Sequence, residues 1–310
     1  MFKGLLDPKV DFVFKNIFGS DKNPEILISF LNAILKPKDK ITVVEIKGND
    51  IEKQFIEDKY SRLDIKATTS NNEIVNIEIQ LKNEYNMVKR SLYYLSKMYE
   101  EQLTEGEDYS KLCRTICINI LNFKYLKTES FHTGYRLKEI ETNEELTDII
   151  EMHFIEIPKL KDNTDEKDML VAWTEFLKNP ESEKVRSLEL TVEEIRQAKD
   201  KLIKMSNDSV QREIYEMRAK ILKDKVSALN KAKEEGIQQG LEQGIQQGLE
   251  QGIQQGIQKG LEKGLEQGLE QGEKNKAIAI AKNLLDVLDD ETISLKTGLL
   301  IEEVEKLRKN

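Results

Sequence analysis

The chain has little of the sulfur and imidazole from which proteins build disulfides and zinc sites. It contains two cysteines, Cys113 and Cys117, and two histidines among 310 residues. The cysteines lie in an apolar run with strand character, where four residues span about 13 Å, which is too far for a disulfide. Both are expected to be buried core thiols. The two histidines match no recognised zinc-binding spacing with them. A disulfide-stapled or zinc-organised fold is therefore excluded.

Long apolar runs are also missing. No stretch approaches the roughly 18 residues of a membrane-spanning helix, and the amino terminus has no signal-peptide core. We therefore expect a cytoplasmic protein with no membrane partner. The net charge of −9 argues against a uniformly basic surface, although a local basic cleft for a few phosphates is compatible with it. Because 34% of the residues are charged, part of the chain should be elongated or solvated.

Composition divides the chain into four segments. Residues 1–160 mix helical and strand patterns, and residues 165–232 are charge-rich and predicted to be helical throughout. A tetrapeptide repeat occupies residues 233–272, and a short helical tail, predicted to be a structural helical hairpin, follows at 273–310. The elements predicted in the first segment are a helix at 24–35, strands at 41–47, 62–69 and 73–81, a helix at 84–103, and strands at 112–123, 131–139 and 149–157. This order predicts an α/β core followed by an α-helical C-terminal region.

The hairpin formed by the second and third predicted strands brings two carboxylates together. With its turn centred on Asn71, Asp64 lies directly opposite Glu78, and directly opposed Cβ atoms are about 4.5–5.5 Å apart. Two charged carboxylates about 4 Å apart repel by about 4 kcal/mol at an effective dielectric near 20. A divalent cation such as Mg²⁺ or Mn²⁺ removes that penalty. The alternative interpretation is a solvated polar face on which Lys66 and Arg62 neutralise the acids.

Six sequence blocks in the first segment provide further evidence beside the pair of carboxylates. They are DFVFKNIFG at 11–19, LISFLNAIL at 27–35, SRLDIKA at 61–67, IVNIEIQ at 74–80, KRSLYYLSKMY at 89–99 and TICINILNF at 115–123. In this order they resemble the PD-(D/E)XK nuclease superfamily, and most closely its Rpn branch of recombination-promoting nucleases and transposase-like proteins. The resemblance implies a restriction-endonuclease-like core, in which a helix, a three-strand meander, a second helix and a strand follow one another.

The resemblance also assigns roles to individual residues. Asp64 and Glu78 are the implied metal ligands, joined by the backbone carbonyl of Ile79. Gln80 stands where the superfamily has a lysine that stabilises charge at the scissile phosphate, whereas an amide can only orient groups through hydrogen bonds. The resemblance to the Rpn branch includes a glutamine at this position. We therefore interpret Gln80 as part of a variant active site.

Three residues of the second predicted helix, Arg90, Tyr94 and Lys97, fall on one stripe of its surface. Arg90 is the candidate for supplying the positive charge that Gln80 lacks, and Tyr94 is assigned to the catalytic site with it. Lys97, together with Lys66 and Lys15, is assigned to nucleic-acid contacts. Ordinary ion pairing and packing on an exposed helix face is the alternative interpretation of the stripe.

The function implied by this resemblance is metal-dependent hydrolysis of phosphodiester bonds in DNA, by an endonuclease that acts in recombination and is associated with mobile elements. The alternative is a DNA-binding or oligomeric assembly protein whose nuclease fold turns over weakly. Gln80 and the acidic net charge favour the alternative, whereas the pair of Asp64 and Glu78 favours the enzyme.

The repeat places glycine at every fourth position from Gly236 to Gly272, with isoleucine or leucine after nine of the ten. Because a period of four exceeds the 3.6 residues of a helical turn, the apolar line winds around a straight helix, and a supercoil that follows it is right-handed. Ten interior glycines destabilise a helix by roughly 8–10 kcal/mol relative to alanine. Two interpretations stay open, a helical rod or spacer that joins copies into a homo-oligomer and a mobile linker.

Overall fold

The computed structural model describes residues 4–47, 65–83, 86–162, 164 and 167–309. Within these ranges the strands are β1 (Val44–Lys47), β2 (Ile65–Thr69), β3 (Ile74–Gln80), β4 (Thr115–Leu121), β5 (His132–Lys138) and β6 (Glu145–Glu156). The helices are α1 (Asp11–Phe18), α2 (Pro24–Leu35), α3 (Met87–Glu100), α4 (Met169–Lys178), α5 (Glu183–Leu188), α6 (Glu193–Asn207), α7 (Ser209–Leu284), α8 (Asp290–Thr297) and α9 (Ile301–Lys309). The predicted order of helix, three strands, helix and strand is confirmed by α2, β1 to β3, α3 and β4.

The described strands form one mixed sheet in the order β1-β2-β3-β4-β6-β5. β1, β2 and β3 make the predicted antiparallel meander, and β3 then pairs with β4 in parallel. A parallel pair needs a crossover connection, and α3 lies in the one that joins β3 to β4. β4 also pairs in parallel with β6, whereas β5 is antiparallel to β6.

The β2–β3 hairpin has the register predicted from its turn. Ile65 pairs with Ile77 and Lys66 with Asn76, as a turn centred on Asn71 requires. Asn72 has a φ of 57°, a left-handed conformation that asparagine adopts more readily than most residues. Asp64, the predicted partner of Glu78, lies outside the described residues, as does Arg62.

Helices α1, α2, α4 and α6 contribute to the hydrophobic core on one face of the sheet. An aromatic cluster stands at its centre, in which the rings of Phe18, Phe30 and Trp173 lie within about 6 Å of one another. The Trp173 indole N–H donates to the Ser29 hydroxyl at 3.2 Å, which satisfies its buried polar group. The predicted core at 1–160 and helical segment at 165–232 therefore share one hydrophobic core.

Helix α3 covers the opposite face of the sheet. Its apolar residues Met87, Leu95 and Met98 form a second cluster with side chains from β4 and β6, which are Cys117, Leu121, Met152 and Phe154. Residues of β3 therefore alternate between two covered faces. Val75, Ile77 and Ile79 enter the larger core, and Asn76 and Glu78 lie on the face that α3 covers.

Two local predictions are wrong. Cys113 precedes β4 and is only partly buried, whereas Cys117 lies within the strand and is buried. Residues 165–232 are also not helical throughout, because breaks separate α4, α5 and α6. Pro180 follows the end of α4, and the residue before a proline disfavours helical geometry. Ser182 then starts α5 by accepting a hydrogen bond from the Val185 amide.

The chain divides into two compact units, residues 1–227 and 228–310. The first contains the sheet. In the second, the end of α7 packs with α8 and α9 around a small core of Ala281, Ile293, Leu299 and Val304. The repeat is helical as part of α7, and its isoleucines and leucines are 53–69% exposed. None of the helices in the described ranges has an apolar stretch that would cross a membrane.

Candidate active site

Glu78 lies near the end of β3 on the face that α3 covers, and only 3% of it is exposed. Its Oε1 atom accepts a hydrogen bond from the Gln80 amide at 2.6 Å and forms an ion pair with the Arg90 guanidinium. A buried carboxylate needs such partners, because an unpaired buried charge is strongly destabilising. The alternative of a solvated polar face is therefore wrong at Glu78, which is enclosed and paired.

The helical stripe predicted from sequence brings Arg90 to this carboxylate. The Arg90 side chain is 12% exposed, and its guanidinium carbon lies 5.9 Å from the centre of the Tyr94 ring. A cation at that distance from an aromatic face is weakly attracted to it. Arg90 thus supplies a positive charge beside Glu78, and Tyr94 lines the next turn of the helix.

Two further residues fix α3 on the sheet, and neither was predicted from the sequence. Asn119 of β4 stands opposite Glu78 in the parallel register and is fully buried. It accepts a hydrogen bond from the Ser91 hydroxyl at 2.7 Å and donates to the His153 carbonyl at 3.1 Å. Because Ser91 follows Arg90, this contact holds the helix at the point where Arg90 meets Glu78. An asparagine inside the apolar strand TICINIL was the available signal.

The remaining predicted residues are placed as follows. Ile79 points its side chain into the larger core, and the ligand role implied for its backbone carbonyl stays a prediction. Lys15 lies in α1, which packs on the opposite face of the sheet, and only 4% of it is exposed. It therefore has little surface to offer to a nucleic acid.

A small cavity of about 80 Å³ lies on the same face of the sheet as Glu78. Its walls come from β2, β3, α3 and the residue that follows α3, and they consist of Lys66, Asn76, Tyr94, Lys97, Met98 and Glu101. The structure thus brings together Lys66, Tyr94 and Lys97, three residues predicted from the sequence to belong to the site. Asn76 was not assigned a role.

The donor set suits a hard divalent cation. Glu78 offers carboxylate oxygens, which are ligands that Mg²⁺ and Mn²⁺ prefer, and its two contacts described above both fall on Oε1. Across the described ranges no group of three histidine, cysteine, aspartate or glutamate side chains is placed to hold a metal. Asp64 lies outside those ranges, so Glu78 is the described member of the predicted ligand pair.

The mixed sheet, its crossover helix and the flanking helices define a nuclease fold of the PD-(D/E)XK type. A family model described as PD-(D/E)XK nuclease family transposase matches residues 8–232. The chain belongs to this family, which gives it a nuclease or transposase-like role. Nucleases of the PD-(D/E)XK type generally use divalent metal ions. Comparisons with curated proteins and with solved structures give no significant match.

Proposed function

We propose that this chain is a metal-dependent DNA endonuclease that acts in recombination, in the manner of a transposase. The observation that carries the proposal is the buried Glu78 carboxylate, paired with Gln80 and Arg90 at the end of β3. The β2–β3 register supports it, because Ile65 pairs with Ile77, and this is the register on which the expected opposition of Asp64 and Glu78 depends.

In this proposal Asp64, Glu78 and the backbone carbonyl of Ile79 hold a Mg²⁺ or Mn²⁺ ion. When bound, such an ion polarises the scissile phosphate and lowers the pKa of a coordinated water. The residues of the chain have complementary tasks. Glu78 carries the negative charge that attracts the cation, and Gln80 orients the carboxylate through its amide hydrogen bond.

Arg90 takes the place of the missing lysine charge. Its guanidinium already lies beside Glu78 in a largely enclosed position, where charges interact more strongly than in water. A guanidinium binds phosphate oxygens in a bidentate manner, so Arg90 can contact the substrate while it stays next to the carboxylate. Lys66 and Lys97 would hold the flanking backbone of the DNA.

The second candidate function is a weakly active nuclease fold that works as a DNA-binding or oligomeric assembly module. One observation favours it, which is that the Glu78 carboxylate already has two protein partners, Gln80 and Arg90. The exposed isoleucines and leucines of the repeat would then join several copies of the chain. In this case metal would add little to DNA binding.

A plasmid-nicking assay with Mg²⁺ or Mn²⁺ tests the first function. Glu78→Gln and Asp64→Asn remove the carboxylate charges with little change of shape, and Glu45→Gln is a matched control in the neighbouring β1 strand, where Glu45 is exposed. Since metal catalysis contributes several kcal/mol of transition-state stabilisation, we expect a loss of about 100-fold or more in the first two variants. Equal cleavage by wild type and all three variants would reject the nuclease function and favour the DNA-binding or assembly function.

A further inference from the structure

Asn76 is a buried polar residue that the proposed mechanism does not use. It lies in the middle of β3 and is 1% exposed, and its side-chain oxygen has no hydrogen-bond partner among the described residues. Such an orphaned acceptor destabilises a protein by about 1–3 kcal/mol, and most buried polar groups are paired for that reason. An asparagine at this position therefore points to a role other than stability.

The small cavity described above provides the setting. Asn76 and Lys66 are direct partners in the β2–β3 register, and Lys97 faces them from α3, so all three line the same cavity. Two ammonium groups against one carboxylate, that of Glu101, leave the lining with an excess positive charge. Charge of this sign selects an anion. A buried amide beside it selects a ligand that carries hydrogen-bonding groups.

A phosphate group fits these requirements. Its oxygens accept from Lys66, Lys97 and the Tyr94 hydroxyl, and a water that donates one hydrogen to the Asn76 oxygen and the other to the phosphate satisfies the orphaned acceptor. A water molecule has a share of about 30 Å³ in the liquid. The cavity of about 80 Å³ therefore has room for a phosphate group with a bridging water.

The surroundings favour a phosphate that belongs to a polymer. A groove of about 380 Å³ shares Lys66, Met98 and Glu101 with the cavity and continues along the sheet to Lys47 and Lys111. In the other direction, Asn76 and Glu78 are two residues apart on one face of β3, which is about 7 Å along the strand. That distance is on the order of the spacing between consecutive phosphates of a nucleic-acid strand.

We propose that Lys66, Asn76, Tyr94 and Lys97 form a subsite for one backbone phosphate of the nucleic acid, next along the strand to the phosphate that is cut at Glu78. The inference rests on the proposed nuclease function, and it makes Asn76 a positioning residue that acts through water. The groove towards Lys47 and Lys111 is the path by which the strand leaves the site.

Glu101 regulates the affinity of this subsite. Its carboxylate lies 3.5 Å from the Lys97 ammonium, so it competes with phosphate for one of the two cations. The ion pair is exposed and therefore weak, which means that a phosphate can replace it. Removal of the Glu101 charge should consequently strengthen phosphate binding, a change in the opposite direction to the loss of Lys66.

The experiment measures DNA binding by the full-length protein without metal. Fluorescence anisotropy of a labelled duplex in EDTA buffer compares wild type with Lys66→Gln, Asn76→Val and Glu101→Gln, and Lys89→Gln is the matched control, an exposed lysine elsewhere on α3. We expect Lys66→Gln to weaken binding about 10-fold and to lower the salt slope by about one. Asn76→Val should weaken binding about 3-fold to 10-fold, Glu101→Gln should strengthen it about 3-fold, and Lys89→Gln should not change it.

Thermal unfolding separates positioning from structure. Because Asn76→Val removes an orphaned acceptor from a strand, its melting temperature should equal or exceed that of wild type. A melting temperature that falls in parallel with DNA affinity would overturn the positioning role. Binding like wild type in the Lys66, Asn76 and Glu101 variants would overturn the subsite, and a loss of cleavage in Glu78→Gln in the same preparations would leave the proposed nuclease standing.

Discussion

At the scale of single residues, the site depends on how the negative charge of one buried carboxylate is neutralised. Glu78 is enclosed by α3, and Arg90 and Gln80 both contact its Oε1 atom. In the proposed function, a metal ion and Arg90 would both neutralise the charge of Glu78, and each would stabilise that charge in the absence of the other. This substitution of one positive charge for another can be tested by measuring stability, without an assay of nuclease activity.

Arg90→Gln should lower the free energy of unfolding by about 3–5 kcal/mol, because it leaves Glu78 buried without its guanidinium. Mg²⁺ or Mn²⁺ should then raise the melting temperature of Arg90→Gln by more than that of wild type, since the cation replaces the lost charge. The double variant Arg90→Gln with Glu78→Gln should regain most of the stability and lose the response to metal. The same metal-induced shift in all three proteins would contradict this account.

At the scale of elements, the turn centred on Asn71 predicted the register of the hairpin, and the alternating pattern supports it, because a slip of one residue would turn Ile65 and Ile77 out of the core. Helical spacing likewise predicted that Arg90 and Tyr94 share a stripe. Sequence could not reveal that α3 crosses the polar face and buries Asn76 and Asn119, since that contact joins segments far apart in the chain. The same crossing explains why the polar face is enclosed.

The edge of the sheet contains a chain of titratable groups that makes stability depend on pH. His153 Nε2 lies 2.6 Å from Glu151 Oε1, and its Nδ1 lies 2.9 Å from His132 Nε2. Burial raises the pKa of Glu151, but hydrogen bonds from His153 and Arg114 outweigh burial and bring the pKa to about 2. Burial, followed by the nearby His153, lowers the pKa of His132 to about 4.

Both shifts have the same consequence. Glu151 stabilises the fold above its unfolded pKa and loses this contribution as the pH falls towards 2. His132 is neutral in the fold, so its contribution is complete above about pH 6.5 and is lost as the pH falls through 4. We expect the melting temperature to fall steadily from pH 6.5 to pH 3. Glu151→Gln should flatten the lower part of this curve, and an unchanged slope in that variant would contradict the assignment.

At the scale of the whole molecule, the repeat within α7 places an apolar residue at every fourth position of the helix. Its glycines have no neighbouring element among the described residues. A Cβ atom built on any of the ten repeat glycines meets nothing within 4 Å among the described residues. Because those glycines weaken the helix by roughly 8–10 kcal/mol, we expect association with further copies of the chain to stabilise it.

Light scattering tests this expectation. The particle mass of wild type should correspond to several chains, and deletion of residues 236–272 should reduce the number of chains per particle. Replacement of the nine repeat isoleucines and leucines by glutamine is the matched variant, since it keeps the length and the helix-forming composition but removes the apolar line. An unchanged mass in both variants would show that the repeat does not join copies.

Each tetrapeptide lengthens the helix by about 6 Å and turns the apolar line by about 40°, so nine of them make about one full circuit. A partner that follows this line gains a similar increment of contact with each unit. Natural gain or loss of units should therefore tune the tightness of assembly in small, even steps, and leave the reading frame and the nuclease fold intact.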